Sequence, residues 1–234
     1  MIRGLAWTLA VLFVAATVLQ LVNQLNLVAQ PPDLPDSTNL VDRILGQIPY
    51  SQAIWPVFFS ANLLIGLGFL VVTALGFALM GATADPDRRV ILGASLIAGG
   101  ILGAAGQALV IGSVKVAIDI PYCDCGFKEQ EVVSQAWALM VTRGASDMLV
   151  SGAGLLAAIG IAAAGNAFRE RLGDRWTVVS WLVAAVLVLY VLVGFFGVSD
   201  DLLTALSILV PGILIPMWAI WLGIGFASPR LESA

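Results

Sequence analysis

The sequence predicts an all-α fold: a polytopic transmembrane helical bundle of six spans, with both termini cytoplasmic. Three observations predict it. The 234 residues are 60% hydrophobic and only 11% charged, whereas a soluble domain carries about 25% charged residues. Six apolar runs each reach the roughly 20 residues that a helix needs to cross a bilayer. They show none of the alternation that barrel strands require. Finally, the basic residues are distributed unevenly between the runs. Arg3, Arg88, Arg89, Arg169, Arg171, Arg175 and Arg230 fall on one side, against Arg43, Lys115 and Lys128 on the other. Cytoplasmic loops carry the excess of Lys and Arg, so the first side is the predicted inner one.

The predicted spans cover about 5–27, 53–80, 90–116, 135–164, 176–198 and 202–226, within a single transmembrane domain of residues 1–234. Arg3 before an apolar run, with Val14-Ala15-Ala16 within it, also fits a signal peptide. The run continues to Leu27, however, and reads as a retained span. Between spans 2 and 3, Asp85-Pro86-Asp87 reads as a turn into a helix start, with acid placed at the positive end of the helix dipole. The loop from Gln30 to Gln52 holds Pro31, Pro32, Pro35 and Pro49. Its centre, 37–48, reads as a short interfacial helix capped by Ser37, with Leu40, Ile44 and Leu45 on one face. Spans 1–3 and 4–6 would face opposite ways, as in inverted-repeat transporters, but the halves share no convincing residue pattern.

In span 3, Gly99 and Gly103 form a small-residue face that permits close helix approach. The expected use is packing within the bundle. Pro211 and Pro216 interrupt span 6. Each removes a backbone donor, which predicts a kink, although broken helices also line transporter sites. Trp55, Trp137, Trp176 and Trp221 lie near span ends and read as an aromatic belt.

Composition excludes several functions. The chain has no histidine, so the commonest metal ligand and His-based catalytic triads are absent. No basic stripe supports nucleic-acid binding. No phosphate-binding glycine loop, zinc-protease motif or serine-hydrolase elbow occurs. Neither a cofactor nor a metal is expected, and the chain reads as non-enzymatic. Cys123 and Cys125, the only cysteines, flank Asp124 in the loop after span 3. They read as a disulfide or as free thiols, since a bridge between them would close a very small ring and no other ligand pair is available for a metal.

The sharpest signal is Arg143 and Asp147, one helical turn apart in a nearly uncharged stretch. An ionisable residue at bilayer depth costs roughly 2.5–3.5 kcal/mol on insertion scales and marks a candidate functional site. Counted from residue 135, Asp147 lies about 15–18 Å along span 4, near the midplane. Gln107 and Asn62 come out at about 12–14 Å from the outer ends of their spans. Gln20, Asn23 and Gln24 share one face of span 1 slightly shallower, and Tyr190 and Ser207 also fall in the outer half. The predicted polar layer is therefore Asn23, Asn62, Gln107, Arg143 and Asp147. One reading makes it structural, an ion pair and amides that set helix packing. The other makes it a ligand or ion site.

The layout resembles a bacterial family of six-span membrane proteins of unknown function. The resemblance rests on the length, the short Arg-bearing inner loops and the closing segment Pro211-Gly212-Ile213-Leu214-Ile215-Pro216-Met217-Trp218-Ala219-Ile220-Trp221. It implies no catalytic or binding residues. The leading expectation is an accessory or structural subunit of a complex in a bacterial inner membrane. Its partners would be the lipid bilayer and another membrane protein or a second copy of the chain, and no nucleic acid. The alternative is a small transporter or receptor that binds a polar ligand or ion in an outer-half cavity around Arg143 and Asp147.

Overall fold

The computed structural model describes residues 1–33, 40–118, 129–197 and 199–227. Cys123, Cys125 and Ser37 lie outside these residues. The described chain is helical and contains no strand. The helices are α1 (Ile2–Gln24), α2 (Leu40–Ala82), α3 (Pro86–Ile118), α4 (Glu129–Ala167), α5 (Arg169–Leu172), α6 (Asp174–Phe196), α7 (Asp200–Leu209) and α8 (Ile215–Gly225), with a π-helical turn, Val210–Leu214, between the last two. Among the described residues, six helical segments are long and apolar enough to cross a membrane. The chain is an integral, multi-pass membrane protein.

Helix ends follow the local chemistry. Asp85 Oδ1 accepts the backbone N–H groups of Asp87 and Arg88 at 3.0 and 3.3 Å. It thereby caps α3, and Pro86 occupies the first turn, where a missing N–H costs nothing. Arg89 donates from Nε and Nη2 to the carbonyl of Thr83 at 3.0 and 2.9 Å, which satisfies an orphan acceptor after α2. Gly197 ends α6 in the left-handed conformation (φ 60°), where glycine carries no Cβ penalty.

The helices follow one another around a ring. α1 packs on α2, α2 on α3, α3 on α4 and α4 on α6, and α8 returns to α1. Close approach explains the glycines of α3. A Cβ on Gly100 or Gly103 would run into Phe69 of α2, and one on Gly99 or Gly106 would press on the backbone of α4. The small faces serve packing within the bundle, as expected. At the predicted inner end the ring is solid. Leu79, Leu92, Ala164, Trp176, Ala219 and Leu222 are fully buried there.

Two sequence expectations are corrected. The predicted interfacial helix and span 2 are a single helix, α2, with Pro49 and Pro56 inside it. Each proline costs one backbone donor without breaking the helical path. At about 1.5 Å per residue the helix is about 65 Å long, so it extends well beyond a hydrocarbon core of about 30 Å. Trp176 is not part of an interfacial belt. Its ring is buried, stacked on Trp218 at 5.4 Å between centroids, and its indole N–H reaches the Ala164 carbonyl at 3.4 Å. Span 6 is interrupted where its prolines fall: α7 and α8 are separated by a full π-helical turn beginning at Val210, next to Pro211. Such turns arise where the ordinary hydrogen-bond ladder is interrupted, and they often occur at functional sites.

Candidate functional site

All six spans contribute one face to a central cavity of about 610 Å³. Its wall can be read helix by helix. α4 supplies Arg143, Asp147, Val150, Ser151, Gly154, Ala157 and Ile161, positions that recur every three or four residues, with Val150 and Ser151 adjacent, and so stack along one side of a helix. α1 supplies Leu9, Phe13, Gln20, Asn23 and Gln24, and α2 supplies a stripe from Phe58 and Asn62 down to Phe69, Val72 and Leu75. Gln107 comes from α3, Tyr190 from α6, and Thr204, Ser207 and Pro211 from the broken last span.

The structure brings the five predicted polar residues together. Asn23, Asn62, Gln107, Arg143 and Asp147, from four different helices, all line this cavity. Arg143 Nε lies 3.2 Å from Asp147 Oδ1, with side chains 54% and 58% exposed. Both side chains are thus exposed while lining the cavity, which places the pair at its mouth. Gln107, in contrast, is only 7% exposed. Asn62 is buried and donates from Nδ2 to the carbonyl of Phe58 at 2.7 Å, which leaves its own carbonyl oxygen available. Two buried acceptors, Asn23 Oδ1 and Gln107 Oε1, have no hydrogen-bond partner among the described residues. A buried acceptor without a partner costs about 1–3 kcal/mol.

Below the mouth the lining changes character. Leu9, Phe13, Phe69, Leu75, Leu96, Ile161, Leu187 and Trp218 form the deep walls. The floor is the solid layer around Trp176, which Trp218 joins through its stack and a 3.1 Å hydrogen bond from Nε1 to Ser180 Oγ. The cavity is polar at one end, apolar at the other and closed below.

Reasoning from the sequence missed this apolar half. Its residues are of the same types as ordinary core, and nothing in their spacing separates a cavity wall from a packed interface. Ser151 and Thr204 were missed as well, being single hydroxyls in apolar helices. Cys123 and Cys125 fall outside the described residues.

The mouth offers one positive and one negative charge, amides and hydroxyls. Among the described lining residues, Arg143 and Asp147 are the only charged side chains, so the wall is neutral overall. This is a chemistry of binding: hydrogen bonds of both senses, and two opposite charges that a ligand can separate. Comparison with protein-family models, with curated proteins and with solved structures finds no match to this chain.

Proposed function

We propose that this protein binds a small polar-headed ligand in the cavity around Arg143 and Asp147, acting as a transporter or receptor of a bacterial inner membrane, with both termini cytoplasmic and no covalent chemistry of its own. The observation that carries the reading is the convergence of Asn23, Asn62, Gln107, Arg143 and Asp147 from four helices onto one cavity. An ion pair serving only to fix helix packing would be sealed between neighbours. Here both side chains are more than half exposed, while two amide acceptors lack partners. This favours ligand binding over the accessory-subunit reading, for which a lipid-facing or partner-facing patch of polar groups would be the natural support.

A second feature supports transport in particular. The π-helical turn and Pro211 lie beside the cavity, and interrupted helices at binding sites are a recurring device of transporters. With the floor closed and the mouth exposed, the arrangement corresponds to an outward-open state.

The test is ligand-induced stabilisation. Purified full-length protein is screened in detergent against polar and zwitterionic solutes. A ligand at 100 times its Kd adds about 2.7 kcal/mol of stability. Asp147→Asn and Arg143→Gln should each reduce the shift at the same ligand concentration, as binding about tenfold or more weaker requires. A solute that stabilises the two variants as well as the wild type would refute the site. Orientation is tested separately with reporter fusions at both termini, which should report from the cytoplasm.

A further inference from the structure

We infer that the ligand is an amphiphile: a net-neutral, zwitterionic head bearing an ammonium group, joined to an apolar chain that fills the deep half of the cavity. This inference rests on the proposed ligand-binding function and specifies its ligand class. Three observations converge on it.

The first is the polarity gradient. Along α4 the lining passes from Arg143 and Asp147 through Ser151 to Ala157 and Ile161, a distance of about 21 Å between Asp147 and Ile161. A small hydrophilic solute would leave that apolar length without a polar partner, whereas a hydrocarbon chain matches it. The second is charge. The described wall carries one cation and one anion, so a head with one charge of each sign exchanges the internal pair for two ligand pairs and leaves no charge over. The third is hydrogen bonding. Asn23 Oδ1 and Gln107 Oε1 are acceptors without partners, and an ammonium group supplies three donors.

This chemistry is shared by a membrane lipid and by a dispersed single-chain amphiphile arriving from the aqueous side, and the test separates the two.

The experiment uses the full chain in nanodiscs of phosphatidylglycerol, which lacks a zwitterionic head. The readout is the fluorescence of Trp218, taken as the difference between the protein and Trp218→Phe. Trp218 lines the cavity and is 2% exposed, so quenching from the surrounding bilayer is a weak, unsaturable background, which nanodiscs of brominated phosphatidylglycerol measure and subtract. Four probes are titrated: brominated-chain phosphatidylethanolamine, its single-chain lyso form, brominated diacylglycerol, and glycerophosphoethanolamine, the head without a chain. Saturable quenching by phosphatidylethanolamine is expected, weakened about tenfold or more by Asp147→Asn or Arg143→Gln, as loss of a charged hydrogen bond implies. Quenching by the lyso form alone assigns the source to dispersed amphiphiles, and quenching by the two-chain lipid assigns it to the bilayer. If glycerophosphoethanolamine stabilises the protein and no brominated probe quenches Trp218, the amphiphile is overturned while the polar-ligand site survives. Equal quenching by diacylglycerol overturns head recognition. If no probe quenches and no polar solute stabilises the protein, both proposals fail. The decisive arms use the wild-type chain, so a variant that fails to fold leaves the test intact.

Discussion

The coupling between Arg143 and Asp147 measures whether the cavity mouth is wet. At 3.2 Å, Coulomb's law gives about 1.3 kcal/mol in water and about 5 kcal/mol at an effective dielectric of about 20. Both side chains are more than half exposed and lie at the mouth of an open cavity, which places the pair at the aqueous end of that range. The entropy of holding two long side chains then reduces the net value, and exposed helical pairs one turn apart contribute about 0.3–0.5 kcal/mol. A double-mutant cycle with Arg143→Gln, Asp147→Asn and the double variant, followed by equilibrium unfolding in mixed detergent, should therefore give a coupling of about 0.5 kcal/mol or less, falling further as salt is added. A coupling above about 2 kcal/mol, insensitive to salt, would mean that the pair is sealed in a low dielectric. That result would refute the open mouth and with it the assignment of the pair to a ligand site.

Three further outcomes test the packing that shapes the cavity. Ser180→Ala removes the acceptor of the buried Trp218 indole N–H and should lower stability by about 1–3 kcal/mol, read as a lower unfolding midpoint in detergent. Gly100→Ala drives a methyl against the Phe69 carbonyl and the Thr73 backbone and should cost about 1–3 kcal/mol. Gly112→Ala, where a Cβ meets nothing within 4 Å, should instead be neutral or stabilising by up to about 1 kcal/mol. If the two glycine variants unfold alike, the close approach of α2 and α3 is wrong. Arg89→Met leaves the Thr83 carbonyl without its two donors. It should cost about 1–2 kcal/mol in the same assay, without changing ligand-induced shifts at the distant mouth.

Much of this architecture was legible from composition and periodicity. Lipid leaves backbone groups no partner but each other, so apolar runs of sufficient length must be helices, and the residues of α1, α3 and α6 could be placed from hydropathy alone. Depth counting also located the polar layer, because a helix rises by a constant amount per residue. That is why Asn23, Asn62, Gln107, Arg143 and Asp147 could be grouped before any contact was known. Errors came where local rules are weak. Pro49 did not separate an interfacial helix from span 2, and Trp176 turned inward to stack on Trp218.

The sequence by itself determined the class of this protein, its six membrane-crossing helices and which polar residues those helices carry, since each follows from one-dimensional quantities: hydropathy, length and charge. Only the tertiary structure decided that these polar residues face one another across a cavity, that the charged pair sits at its mouth, and that an apolar chamber extends below. Within lipid, an apolar side chain gains little by facing protein instead of hydrocarbon. Its identity therefore does not reveal whether it packs a core, meets a lipid or walls an open space, and only the path of the neighbouring helices settles that.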